Sequence, residues 1–136
     1  MTTLWSSSVA LEAAECIRLL SDTRLGRVGF TSAAGPQVLP VNHTVLDGSI
    51  VFRTDLYSSL ADATRGGTVA FEADELDDRM RSGWSVLVVG EAEHVENLDE
   101  MEDVFRRMGQ PWAPGSRPLV ARIVPTQVTG RRFERA

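Results

Sequence analysis

A chain of 136 residues, 43% hydrophobic and 24% charged, carries enough apolar material for one ordinary core and is far from the composition of a disordered segment. Its net charge of −5 would repel a phosphate backbone and argues against a general nucleic-acid binder. Every cationic side chain is arginine and none is lysine, and the longest apolar run, VLVV at 86–89, is far too short to cross a membrane.

In chain order, residues 8–20 place Val9, Ala13, Cys16 or Ile17, and Leu20 on one helical stripe, with Ser8 as the expected N-cap. Cys16 is the only cysteine, which rules out an internal disulfide. With no recognisable signal peptide, a cytoplasmic location is expected. From Gly26 the period becomes alternating: Val28 and Phe30 oppose Arg27, Gly29 and Thr31, the pattern of a half-buried strand. A turn at 32–36 leads to a second extended run at 37–46. Asp47-Gly48 then predicts a tight hairpin returning along 49–54. Pro40 cannot donate to a ladder, so its part of the strand is expected at an edge, a bulge or a ligand-facing break.

A short helix is predicted over 58–65, stopped by Gly66-Gly67, then a strand at 68–74 and a polar loop at 75–83. The β-branched run at 84–95 predicts a long strand with a bulge at Gly90. Asn97 and Glu100 have capping-box spacing and open a helix to Gly109, with Met101, Val104, Phe105 and Met108 on its packing face. A proline-rich loop at 110–118 carries Trp112, and two strands are predicted at 119–125 and 126–134. These elements imply one mainly β domain over 1–136: a six- to seven-stranded antiparallel barrel with helices inserted at 1–24, 58–65 and 97–109. Acidic residues crowd 72–103 and arginines follow Val104, so the two stretches could meet within the fold or across a dimer.

Most catalytic signatures are missing. His43 and His94 lie on different predicted strands, and no HxH, HExxH or CxxC spacing exists, so both are expected to be structural and no metal site is expected. There is no GxSxG elbow, and Cys16 has no neighbouring base, which predicts a buried inert thiol. Carboxylates at Glu72, Asp74, Glu75, Asp77 and Asp78 are expected to be solvated. The stretch FRTDLYSSL at 52–60 is the exception. Arg53 and Thr54 close a strand just before Ser58 and Ser59 open a helix, which suits a phosphate. A solvated strand end followed by an N-cap explains the same residues, and local chemistry leaves both readings open.

The order LGRVGFTS (25–32), LPVNHTV (39–45), IVFRTDLYSSLADA (50–63), VAFEADELD (69–77) and GWSVLVVGEAEHV (83–95) resembles the pyridoxamine 5'-phosphate oxidase-like FMN-binding split-barrel family, in its short actinobacterial form. The resemblance covers residues 19–133. It implies a split barrel that forms a homodimer with FMN in an interfacial groove, acting as an oxidoreductase on a small substrate. By resemblance, Pro40, Val41, Asn42 and His43 run along the flavin ring, and Phe52, Arg53 and Thr54 meet the ring edge and phosphate. Ser58 and Ser59 give further phosphate contacts, and Trp84, Ser85 and Trp112 come from the partner. His43 is the candidate proton donor. Leu60 stands where the family commonly has a lysine. The chain ends GRRFERA, without the family's terminal substrate motif, so pyridoxamine phosphate oxidation itself is not expected. The alternatives on this fold are a reductase using the deazaflavin F420, with Arg106, Arg107, Arg117, Arg131 and Arg132 lining a wider groove, or a non-catalytic flavin- or haem-binding dimer.

Overall fold

The computed structural model describes residues 7–79, 81–109 and 118–134. In chain order the elements are β1 (Ser7–Ala10), α1 (Ala13–Ser21), β2 (Leu25–Ser32), β3 (Gly35–Leu46), β4 (Ser49–Thr54), α2 (Ser59–Ala63), β5 (Thr68–Asp77), β6 (Ser82–His94), α3 (Leu98–Met108) and β7 (Leu119–Glu134). The strands run β1-β7-β4-β3-β2-β5-β6, and β6 also pairs with β7. Six strands therefore close on themselves and β1 is added beside the far end of β7. All pairings are antiparallel. This is the mainly β split barrel expected from the sequence.

Alternation decides what the barrel contains. Val28 and Phe30 on β2, Val69, Phe71 and Ala73 on β5, and Trp84, Val86 and Val88 on β6 all point inward and are buried. Leu19 and Leu20 of α1 and Leu60 of α2 pack into the same core. A smaller cluster forms where the predicted stripe of α3, Met101, Val104, Phe105 and Met108, covers Val51 and Val120. The Asn97 side chain caps α3 by accepting from the Glu100 N–H at 3.0 Å. The Asp47-Gly48 hairpin forms as predicted, with φ of 51° and 78°, both positive as a two-residue turn of this hand requires.

Three local expectations give way to long-range pairing. Residues 7–10 are a strand and not the start of a helix, because they pair with Arg131–Glu134 and the Leu11 N–H donates to the Gly130 carbonyl at 2.9 Å. α1 begins at Ala13, and its N-cap, Glu12, makes no side-chain cap bond. The polar stretch 75–83 is mostly strand, since Glu75, Leu76 and Asp77 pair with Trp84, Gly83 and Ser82. The two last strands are one strand of 16 residues.

The register slips where the bulge was expected, with Val89 opposite Gln127 but Gly90 opposite Pro125. The extra residue is thus Thr126, on the partner strand. A Cβ at Gly90 would fall on the Val124 carbonyl, a backbone atom that cannot swing aside. Gly90→Ala is therefore expected to destabilise the fold by about 1–3 kcal/mol, the usual range for overpacking, as a lower urea midpoint at unchanged slope.

Candidate functional site

β3 pairs with β2 from Gly35 to Asn42, but β4 joins it only from His43 onward. The side of β3 facing β4 is therefore open over Leu39–Asn42, and Pro40 lies in that open stretch, as its missing N–H predicts. Here the barrel wall parts into a cleft of about 880 Å³, within the usual range for small-molecule sites. Its floor is residues 39–44. The α1–β2 connection (Ser21, Thr23, Arg24, Leu25) forms one wall. The other is built from Arg53, Thr54, Asp55, Ser58 and Leu60, and the end of α3 (Arg107, Met108, Gly109) closes it.

Although the chain is acidic, this cleft is cationic. Among the described residues it is lined by three arginines, Arg24, Arg53 and Arg107, and one carboxylate, Asp55. The Arg53 guanidinium lies 4.2 Å over the Phe105 ring and donates to the Gly109 carbonyl at 3.4 Å, which fixes it against α3. Burial works against its charge, but a guanidinium stays protonated in proteins. Arg107 sits in the last turn of α3, where a cation is favoured by the helix dipole. Thr54 and Ser58 hydroxyls lie 3.2 Å apart. Ser58 also accepts from the Ala61 N–H at 3.0 Å and donates to the Asp55 carbonyl at 3.0 Å. Ser58 is thus the N-cap and a lining residue at once. The N-cap reading of FRTDLYSSL is thus met, and Arg53, Thr54 and Ser58 of the same stretch also line the cleft.

The floor has a specific polar character. Asn42 Oδ1 and His43 Nδ1 are buried without a hydrogen-bond partner among the described residues. An unmet buried acceptor is costly and calls for a donor. The His43 Nε2 atom lies 2.9 Å from the Leu20 carbonyl, which can only accept, so Nε2 carries the proton. Burial holds the imidazole below its ordinary pKa, although its backbone hydrogen bonds oppose that shift. His43 is therefore a neutral tie from β3 to α1, stacked edge-on to Phe71 at 4.8 Å. Its proton is committed to Leu20, and this geometry does not suit the proton-donor role expected of it. His94 is also structural, with Nε2 donating to the Ala61 carbonyl at 3.0 Å.

Of the residues picked out by sequence, Pro40, Val41, Asn42, His43, Arg53, Thr54 and Ser58 come together in the cleft. Phe52 points into the core and is fully buried, and Ser59 is exposed outside the cleft lining. Trp84 is 7% exposed and belongs to the core, and Ser85 lies on β6 beside Asp74 and Arg131. Trp112 and Arg117 fall outside the described residues. Leu60 is 3% exposed and packs in the core, so the chain has an apolar wall there. Of Arg106, Arg107, Arg131 and Arg132, only Arg107 reaches the cleft. Arg106 is held by Asp103, Arg131 by Ser8 and Arg132 by Glu15. Sequence reasoning missed Arg24, Ser21 and Thr23, which stand in a connection with no motif.

Other candidate centres carry less. Cys16 is fully buried; burial pushes its thiol up and the Glu15 carboxylate adds to that, so it is inert as expected. Among the described residues no group of three or more His, Cys, Asp or Glu is placed to hold a metal. No helix is long and apolar enough to cross a membrane.

A second hollow, about 380 Å³, lies on the outer face of β2, β3 and β5, lined by Arg27, Gly29, Val38, Ala70, Glu72 and Asp74. Glu72, 3.0 Å from Arg27, has its pKa raised to about 7 by burial and by the neighbouring Asp74, with Arg27 opposing. A carboxyl raised in the folded state holds a proton that the unfolded chain has already released. Its stabilisation is thus full below its unfolded value near 4.5 and lost as pH rises through about 7. Glu72→Gln is expected to flatten that part of the stability–pH curve, measured by urea unfolding between pH 5 and 8.

Similarity to known proteins agrees with this architecture. The sequence profile described as pyridoxamine 5'-phosphate oxidase matches residues 12–132. The uncharacterized protein Rv0080 of Mycobacterium tuberculosis is 42% identical over 130 residues, covering 92% of this chain and 85% of that one. The solved structure of the FAD binding protein from Mycobacterium smegmatis shares 32% identity at a TM-score of 0.74, covering 94% of this chain and 100% of that one. A FAD-binding protein from Mesorhizobium loti shares 25% identity at a TM-score of 0.76, covering 92% and 97%. With the profile spanning nearly the whole barrel, the chain belongs to the pyridoxamine 5'-phosphate oxidase family.

Proposed function

We propose that the cleft binds FMN and that the protein is a flavin-dependent oxidoreductase acting on a small molecule. The observation that carries this reading is a cationic cleft, in an acidic chain, whose floor buries the unmet acceptor Asn42 Oδ1. The residues present fit the cofactor. Arg53 would supply a charged donor for the phosphate, with the hydroxyl of Thr54 and, once its proton turns from the Asp55 carbonyl, that of Ser58; Arg107 lines the same cleft. Pro40, Val41, Asn42 and His43 would hold the ring along a half-apolar strand, and the unpartnered Asn42 Oδ1, turned toward the cleft, would be an acceptor for a ring N–H. A bound flavin supplies the hydride or electron chemistry. The chain's own part is to bind the phosphate, seat the ring against β3 and keep water from its buried edge. The names of the two FAD-binding relatives support a flavin. F420 is the weaker choice, since of Arg106, Arg107, Arg131 and Arg132, the described arginines considered for its longer tail, only Arg107 lines the cleft.

The same reading includes a homodimer. Leu25, Leu39 and Pro40 border the cleft, and Val38, at 65% exposure, carries that exposed apolar band onto the outer face of the sheet beside the Arg27–Glu72 ion pair. A second copy covering that band would wall the cleft on its open side and exclude water from the ring.

Purified protein titrated with FMN, FAD and F420 tests the proposal. Quenching of FMN fluorescence with a dissociation constant of about 1 μM or tighter is expected. A colourless protein that takes up none of the three would contradict it, and binding of F420 alone would move the assignment to the deazaflavin reductases.

A further inference from the structure

The helix α3 packs apart from the rest of the molecule. Its Met101, Val104, Phe105 and Met108 lie on Val51, Val95 and Val120 in a cluster separate from the barrel core. Of the helix's residues only Val104 is fully buried. An element with so few buried apolar contacts belongs to the low-stability end of a fold, where local opening costs least.

The two ends of α3 are tied to the barrel differently. Just before its start, the Val95 N–H donates to the Val120 carbonyl at 2.9 Å, and Arg122 of β7 pairs with Glu100 at 3.3 Å and with Glu93 at 2.9 Å. The Asn97 cap fixes the first turn. The carboxyl end borders the cleft through Met108 and Gly109, and there the tie is Arg53 of β4. Its guanidinium lies 4.2 Å over the Phe105 ring and gives an N–H to the Gly109 carbonyl at 3.4 Å, beyond the usual hydrogen-bond span. Phe105 and Gly109 are one helical turn apart, and the Gly109 N–H donates to the Phe105 carbonyl at 3.1 Å. One side chain thus grips the whole last turn.

Arg53 also lines the cleft. A guanidinium stacked through its face carries its N–H groups at its edge, in its own plane. An anion meeting that edge leaves the stack on Phe105 in place and steadies the guanidinium beneath it. By linkage, whatever the anion adds to the grip on α3, the grip adds to the anion. We infer that Arg53 is a latch for α3: the helix pivots at its capped start, and an anionic ligand in the cleft fastens its carboxyl end to the barrel as a closing wall. The latch stands on the contacts of α3 alone. Its ligand rests on the flavin reading, in which the anion is the FMN phosphate.

Hydrogen–deuterium exchange of the whole chain, resolved along α3, tests the latch and its ligand separately. Without ligand, Arg53→Gln is expected to speed exchange of the 105–109 amides by about tenfold, for the loss of a cation–π contact and a hydrogen bond. The 101–103 amides, near the pivot, are expected to change by less than about twofold. Should Arg53→Gln disturb the barrel, Phe105→Leu, which fills the apolar cluster but offers no ring to stack on, gives the same readout. Saturating FMN is expected to slow the 105–109 amides of the wild type by about tenfold, and those of Arg53→Gln by less than about twofold. Equal changes along the whole of α3, or none in either unliganded variant, would overturn the latch. So would slowing by FMN that persists in full in Arg53→Gln, or wild-type amides that neither FMN nor inorganic phosphate slows. Slowing by inorganic phosphate in a protein that binds no FMN would refute the flavin reading and leave the latch standing.

Discussion

Arg53→Ala is expected to weaken FMN binding by about one to two decades, the value of roughly 1.5–3 kcal/mol for a charge-assisted hydrogen bond in a sheltered site. The guanidinium is positioned by the Phe105 face and the Gly109 carbonyl, so little ordering remains to be done when the phosphate arrives. Phe105→Ala removes that support and leaves the charge. It is expected to give a smaller loss, well inside one decade. Arg53→Lys should recover only part of the affinity, because an ammonium neither stacks on the ring nor grips two oxygens. Equilibrium fluorescence titration of the three variants reads all of these. Equal affinity in wild type and Arg53→Ala would remove Arg53 from the phosphate site.

The second large effect is on stability. Phe71 is fully buried beneath the cleft, its ring edge-on to His43 and filling the space over Gly26. Phe71→Ala is expected to cost about 3–5 kcal/mol, a large part of the stability of a domain this size. The loss has a functional side. With the ring gone, His43 loses the packing that aims its N–H at Leu20, and the floor of the cleft is no longer fixed. Phe71→Leu keeps most of the volume and should lose much less in both urea unfolding and FMN titration. Equal losses for the two variants would show that the ring has no specific part in holding the floor.

What the sequence made legible follows the reach of the interactions. The Asp47-Gly48 hairpin, the Asn97 cap and the α3 stripe depend on neighbours a few residues apart, and each formed as read. The Ser8 cap failed because β1 answers to Arg131–Glu134, over a hundred residues away, and no local pattern encodes that pairing. The same cause turned the polar stretch at 75–83 into strand. Thr126, not Gly90, proved to be the inserted residue, since a bulge is shared by two strands and only one carries the glycine.

The site was legible in part for the same reason. Arg53, Thr54 and Ser58 are close in sequence and could be read as an anion cluster. Their partner across the floor, Arg24, reaches the cleft only because β2 and β4 flank β3. Phe52 and Trp84 looked like aromatic contacts for a ring, but strand alternation turns both inward. Leu60 looked like a lost cation. In the fold it is a core side chain that also walls the cleft, so in the proposed reading the phosphate end would depend on Arg53, Arg107 and two hydroxyls.

The central claim is that this cleft holds the flavin, and a crystal structure of the protein grown with FMN tests it most directly. The account predicts the phosphate within hydrogen-bond distance of Arg53, Thr54 and Ser58, with the ring lying along Pro40–His43 and donating an N–H to Asn42 Oδ1. FMN found in the outer hollow beside Glu72, or an empty cleft at saturating FMN, would contradict it.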